Sequence, residues 1–304
     1  MAIYAVIDIG TNAIKFHLAE KLFGGKWQTI MDRGEVTRLG SGLNQTGQLN
    51  PQAMARTLAV IIEMVQQARQ NRAQQIIAIG TMALRTATNA MDFVELLKRE
   101  CQLDVEIISG EAEARYSFLA VKSSLDLADD DFGIFDIGGG STEFIWGHRG
   151  QLSHQLSLNL GVVRLTEDIL RSDPVTPTEC EKVIEEIEAM FQAIPITQPL
   201  KKLIGVGATM TTLGAMKHRL PVYDSEFIHG KPLAATEIAD LVALLQSKTI
   251  AQRKQIIGLA PSRADVILAG AMIVQVILRK FNQPAVIISD RGVRHGVLFD
   301  RFGA

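Results

Sequence analysis

Two short segments of this sequence set a carboxylate beside glycines and small polar side chains: Asp8-Ile-Gly10-Thr11-Asn12 and Asp136-Ile-Gly138-Gly139-Gly140-Ser141-Thr142. Glycine and small residues in a tight turn let backbone N–H groups converge as an anion nest, to which hydroxyls add hydrogen bonds. A carboxylate at the strand end beside such a nest repels phosphate unless a divalent cation lies between them. Asp8 and Asp136 therefore read as residues on the side of a bound Mg²⁺, with Mn²⁺ as its substitute. A lone Asp-x-Gly is most often a capped hairpin; its recurrence with the whole surrounding pattern favours two phosphate loops.

Further along, Thr81-Met-Ala-Leu84-Arg85 follows a Gly-ended strand and sets Arg85 about one turn into a helix. An arginine there would neutralise charge on a transferring phosphoryl group, and a solvated ion pair with Asp92 or Glu95 is the equal alternative. Gly110-Glu111-Ala112-Glu113 opens the next helix. First-turn carboxylates commonly do no more than complement the helix dipole, yet one at this place could orient and deprotonate an attacking water. The residues themselves do not choose between Glu111 and Glu113. Gly205-Val-Gly207-Ala208-Thr209-Met-Thr211-Thr212 is a strand end opening a helix. It would suit a nucleotide's base and ribose or, through Gly207 and Thr209, phosphate; a close-packed strand-to-helix turn explains it as well. Lys217, His218, Arg219, Arg263, Arg291, Arg294 and His295 are candidates for an anionic channel, although most such charges face solvent. The six histidines show no metal-ligand pair at helical spacing, and none is assigned a catalytic role.

The elements that would position these groups repeat in order. Ala5-Val-Ile-Asp8-Ile-Gly10 pairs with Gly133-Ile-Phe-Asp136-Ile-Gly138, the second following the first by close to half of the chain. Gln75–Met82 pairs with Leu203–Met210, and Val105–Gly110 with Ala285–Asp290. Three matched pairs in one order predict a duplicated β-β-β-α-β-α-β-α domain, two copies facing each other across a cleft. The expected fold class is α/β, with mixed five-stranded sheets flanked by helices. The boundary is placed in the acidic loop Asp126 to Asp131, giving domains 1–124 and 125–304, with a last helix at about 291–304 packing back on the first. Asn50-Pro51 predicts a helix start, with apolar spacing over 51–70, and Ser262 predicts the start of another running to about Arg279.

Composition narrows the classes. The 304 residues, 47% of them hydrophobic, suggest about two domains. With 31 Lys plus Arg against 33 Asp plus Glu, the net charge of −2 gives no electrostatic footprint for duplex nucleic acid or an anionic membrane. Cys101 and Cys180 stand alone, excluding a disulfide framework. No signal-peptide pattern or spanning apolar run is present, so a cytoplasmic protein is expected.

Taken together, the paired Asp-x-Gly turns, the two strand-Gly-helix connections and Gly205–Thr212 resemble the actin, sugar kinase and heat-shock ATPase superfamily, with its duplicated ribonuclease H-like, actin-like ATPase domains. Within it, the chain is similar to the exopolyphosphatase / guanosine pentaphosphate phosphohydrolase family. The motifs are Val6–Asn12, Arg38-Leu-Gly40, Gly80–Arg85, Ile108–Arg115, Phe135–Glu143, Pro261–Asp265 and Gly292–Gly296. The resemblance places the catalytic glutamate on Glu113, the metal-associated aspartate on Asp136, the phosphate-binding arginine on Arg85 and the second phosphate loop on Gly138 to Thr142. It implies Mg²⁺-dependent release of orthophosphate from inorganic polyphosphate or guanosine pentaphosphate by a homodimer. Ala13 departs from the family's usual hydroxyl residue and Ala112 from a frequent acidic one. The end at Ala304 reads as the short two-domain form. A small-molecule kinase and an actin-like nucleotide-binding scaffold are the rival functions.

Overall fold

Ala5, Ile7 and Ile9 face one side of strand β1 (Ala2–Ile9) and Val6 the other, and all four are shielded from solvent. A strand buried on both faces reads as an unbroken apolar run rather than an alternating one, as this one does. The computed structural model describes residues 2–127, 131–192, 194 and 200–303. Of the acidic loop expected to divide the chain, residues 128–130 lie outside the described residues. Packing separates the chain into unit 1, Met1–Ala120 with Val293–Ala304, and unit 2, Val121–Gly292.

After β1, the chain runs through β2 (Ala13–Lys21), β3 (Trp27–Val36), α1 (Leu43–Thr46), α2 (Pro51–Gln70), β4 (Gln75–Gly80), α3 (Met82–Thr86), α4 (Ala90–Cys101), β5 (Val105–Ile107) and α5 (Gly110–Ser124). The five strands form one sheet in the order β3-β2-β1-β4-β5, with β1, β2 and β3 antiparallel and β4 and β5 parallel to β1. Helices α2 and α4 cover the face of Ala5 and Ile7 through Ile61, Met64, Phe93 and Leu97. Asn50 caps α2 by accepting from Gln52 N at 2.8 Å and Ala53 N at 3.3 Å, with Pro51 at the first helical position, as its sequence predicts.

Unit 2 contains β6 (Phe132–Ile137), β7 (Thr142–His148), β8 (Gln151–Leu158), α6 (Val162–Asp168), α7 (Pro177–Phe191), β9 (Lys202–Val206), α8 (Ala208–Lys217), α9 (Ser225–Ile228), β10 (Pro232–Ala234), α10 (Ala235–Gln246), α11 (Ile250–Arg253), α12 (Ile267–Lys280) and β11 (Ala285–Ser289). The sheet order is β10-β11-β9-β6-β7-β8. Among the described residues this sheet has six strands, not the five expected. The extra one, β10, is a three-residue segment that adds antiparallel to β11, too short to carry a period. The helix expected from Ser262 begins later: Pro261–Arg263 is a 3₁₀ turn closed by Arg263 N to Ala260 O (2.9 Å), and α12 starts at Ile267.

The last helix, α13 (Val293–Phe302), belongs to unit 1 and lies on the Val6 face of its sheet, where Val293, Val297 and Leu298 join Val6, Ile79 and Tyr116. Its approach is close. A Cβ at Gly296 would stand 1.9 Å from the Tyr116 carbonyl oxygen of α5, so only glycine fits.

Helix α7 starts with a capping box. Thr176 Oγ1 accepts from Glu179 N at 3.3 Å, and Glu179 Oε2 accepts from Thr176 N at 2.8 Å. The backbone hydrogen bond from Thr176 leads the causes that hold the Glu179 carboxyl down at about 2, from an ordinary 4.5. Its contribution is therefore complete above the ordinary value and lost as pH falls toward 2. We expect Thr176→Ala to cost roughly 1 kcal/mol in a urea unfolding curve at neutral pH; an unchanged midpoint would remove the cap from the stability of α7.

Candidate phosphate and metal site

In unit 1, Asp8 lies near the carboxyl end of β1, directly opposite Lys15 of β2, whose Nζ is 4.0 Å from its Oδ2. The following turn is tight, with Gly10 N donating to Ala13 O at 3.2 Å. The segment of Arg38-Leu-Gly40 braces it. Thr37 N and Arg38 N donate to Asn12 O (3.1 and 2.9 Å), and Gly40 N to Thr11 O (2.8 Å). A Cβ at Gly40 would sit 2.3 Å from Thr11 Cγ2, so this motif works as a rigid support for the first loop. The Thr11 hydroxyl points to Met82 Sδ at 3.7 Å.

Strand β4 delivers α3, and with it Arg85. Its Nη1 donates to the carbonyl of Ile108 at 2.8 Å and lies 3.3 Å from Glu113 Oε2. Ser109 Oγ accepts from Ala112 N at 3.1 Å, and Glu113 N donates to Ser109 O at 3.0 Å, fixing the first turn of α5. That turn separates the two carboxylates that the sequence left equivalent: Glu111 is exposed, while Glu113 is turned inward and buried. Among the described residues, Arg85 pairs with Glu113 and not with Asp92 or Glu95.

In unit 2 the second loop is held by α6. Gly138 N donates to Ser141 O at 2.9 Å, Val162 N to Gly138 O at 3.1 Å and Val163 N to Gly139 O at 2.8 Å. With those carbonyls engaged, the N–H groups of Gly139 and Gly140 donate to no backbone carbonyl among the described residues, the arrangement an anion nest requires. Gly161 makes the brace possible, since a Cβ there would meet the Gly139 carbonyl at 2.3 Å. Thr142 turns its hydroxyl to Leu160 O at 2.5 Å and so anchors the loop's end, leaving Ser141 as the loop's hydroxyl candidate.

Asp136, buried near the end of β6, faces glycines. A Cβ at Gly207 would stand 2.5 Å from its Oδ1, and one at Gly292 would stand 3.9 Å from its Oδ2. The space that side chains would fill beside Asp136 suits a hydrated ion, and a carboxylate oxygen there suits a hard one such as Mg²⁺ or Mn²⁺. Gly207 opens α8. Thr209 is buried, and its Cγ2 and Oγ1 would be 2.6 and 2.9 Å from a Cβ at Gly270 of α12. Its side chain thus packs under α12, and its backbone N–H is what it can offer a phosphate.

The basic residues divide. Lys217 and Arg219 are exposed, but Arg263, Arg294 and His295 are buried. Burial pulls the Arg263 guanidinium down to about 10, with Asp265 opposing. Arg294 binds Asp32 of β3 with both its Nε (2.8 Å to Oδ1) and Nη2 (3.0 Å to Oδ2). His17 Nδ1 and His295 Nε2 lie 3.2 and 3.1 Å from the same Oδ2. Burial would raise the Asp32 carboxyl, but the Arg294 charge and hydrogen bonds from the two histidines outweigh it and hold the group well below the carboxylate range. Burial first, then Arg294, lowers His295 well below the usual histidine value. Sequence spacing missed this cluster. Its one local signal is a histidine, His17, set between the buried Phe16 and Leu18 of β2.

Residues 19–303 match the Ppx/GppA phosphatase family. The chain is 33% identical over 307 residues to the bifunctional 3-dehydroquinate synthase/phosphatase of Fusobacterium nucleatum, covering 97% of this chain and 46% of that protein. The chain therefore spans about half the length of that relative. It is 29% identical to exopolyphosphatase 2 of Mycobacterium tuberculosis, over 98% of each. Among solved structures, the Aquifex aeolicus Ppx/GppA family member shares 33% identity and a TM-score of 0.83, covering 99% of this chain and 97% of that one. The mixed α/β architecture of two sheets is that of these actin-like structures. No helix among the described residues is long and apolar enough to cross a membrane. The chain belongs to the Ppx/GppA phosphatase family.

Proposed function

We propose that this protein is an exopolyphosphatase that hydrolyses the terminal phosphoanhydride of inorganic polyphosphate and releases orthophosphate. The observation that carries the reading is the buried Glu113 carboxylate at 3.3 Å from Arg85, in a chain with two braced glycine loops. Glu113 orients a water and accepts its proton as the oxygen attacks the terminal phosphorus. The bridging P–O bond breaks, and the shortened chain leaves on that oxygen. Arg85 offsets the charge gathering on the transferred group. Backbone N–H groups of Gly10 to Asn12, Gly138 to Ser141 and the start of α8 at Gly207 and Thr209 hold phosphate oxygens. Asp8 and Asp136 would hold Mg²⁺, or Mn²⁺, which when bound neutralises phosphate charge beside the two carboxylates.

Guanosine pentaphosphate offers the same terminal anhydride and is the second substrate. The test is orthophosphate release from long-chain polyphosphate, tripolyphosphate, pyrophosphate, guanosine pentaphosphate and ATP, with no acceptor present. Release from long-chain polyphosphate is expected to be fastest, to stop on chelation of divalent ions and to return with Mg²⁺. Fastest release from guanosine pentaphosphate would transfer the assignment to that substrate. Turnover that needs an acceptor hydroxyl would point to a kinase, and absence of release from every substrate would overturn the hydrolase reading. The proposed enzyme is a homodimer in the cytoplasm, its mass measurable by sedimentation velocity.

A further inference from the structure

The side chains of His17, Asp32 and His295 converge on a single point in unit 1, and nothing in the proposed reaction uses them. They come from three elements. His17 of β2 and Asp32 of β3 are direct cross-strand partners, and α13 brings His295 onto the same face. His17 and His295 are buried and their ring centroids are 4.4 Å apart. Asp32 Oδ2 lies 3.2 Å from His17 Nδ1 and 3.1 Å from His295 Nε2, and the three ligand atoms all fall within 4.8 Å of one another. Imidazole nitrogens and a carboxylate oxygen that each bind one ion at about 2.0–2.2 Å stand roughly 3.0–3.5 Å from each other around it. The two N···O separations meet that condition, and the two ring nitrogens lie within 4.8 Å of each other.

The surroundings select the ion. Two imidazoles and one carboxylate form a donor set for borderline first-row ions, whereas Mg²⁺ prefers oxygen alone. Arg294, on both carboxylate oxygens, orients the group as an outer-shell partner does, and its charge disfavours ions that bind imidazole weakly.

We propose that His17 Nδ1, Asp32 Oδ2 and His295 Nε2 form a binding site for one transition-metal ion of the Zn²⁺ class, which ties α13 to β2 and β3. The site has three protein ligands and an open position for water. It is independent of the substrate assignment and of the Mg²⁺ at the phosphate loops.

The test uses the purified full chain, freed of metal and kept in excess Mg²⁺, with Co²⁺ and Zn²⁺ as probes. The expected result is saturable binding of a single Co²⁺ with a visible absorption band, about tenfold or more weaker in His17→Asn and in His295→Gln. Zn²⁺ should raise the melting temperature of the wild type and not of these variants. No saturable binding, or binding unchanged in folded variants, would overturn the site and leave the cluster as an ion-pair network only. Should both variants fail to fold, zinc-edge X-ray absorption on the Zn²⁺-loaded wild type decides the matter. Two imidazoles in the first shell support the site, and fewer than two overturn it.

Discussion

Replacing Glu113 by Gln is expected to lower phosphate release from polyphosphate about 10²- to 10⁴-fold, the range for loss of a positioned general base. Gln keeps the size of the side chain and a polar contact with Arg85, so the effect should fall on kcat, with little change in KM or in the melting temperature. A thousandfold loss corresponds to about 4 kcal/mol of transition-state stabilisation. The paired control is Glu111→Gln. Glu111 is exposed two residues earlier in the same helical turn, and its substitution should leave the rate within about twofold. If both variants release phosphate at the wild-type rate, Glu113 has no part in the chemistry. If both lose it equally, the helix turn rather than the carboxylate is responsible.

The second large effect is expected from Gly207→Ala. Gly207 adopts φ 92° and ψ 172°, a region that is essentially restricted to glycine, and strain of this kind costs about 1–3 kcal/mol. The added Cβ would also meet Asp136 Oδ1 at 2.5 Å and Ile137 O at 3.3 Å, so relief of the clash must move the carboxylate proposed to hold Mg²⁺. Three readouts separate these consequences. Thermal unfolding should shift downward by several degrees, and phosphate release by the folded protein should fall roughly a hundredfold. The Mg²⁺ concentration giving half-maximal rate should rise as well. Lower stability with an unchanged Mg²⁺ requirement would remove Asp136 from the metal site.

Both experiments rest on features that the sequence displays to different degrees. The central strands β1 and β6 are legible because burial on both faces leaves long apolar runs, as in Ala5–Ile9, and α2 is legible because Asn50 and Pro51 mark its start. The start of α12 is not legible. Pro261 opens a turn whose hydrogen bonds run to the third residue back, and this tighter spacing persists to Val266 before the regular helix takes over. Strand β10 is invisible for a related reason, since three residues gain their identity from β11 and not from any pattern of their own.

The loops show the same division at the scale of single side chains. Asp8, Gly10, Asp136 and the glycines from Gly138 to Gly140 stand out because the whole unit is written twice. Their supports do not stand out: Gly161 against the Gly139 carbonyl and Gly40 against Thr11 are close approaches across sequence.

The sequence by itself determined the duplicated α/β plan, the two glycine turns and the family, because these depend on neighbouring residues and on repetition of their order. Only the tertiary structure turned Glu113 inward and Glu111 to solvent, put Arg85 on Glu113, and gathered His17, Asp32, Arg294 and His295. The physical reason is range. Helix phase against a particular neighbour, cross-strand register and the docking of a C-terminal helix on the first sheet are set by burial and packing over the whole unit, and none of them leaves a local spacing to read.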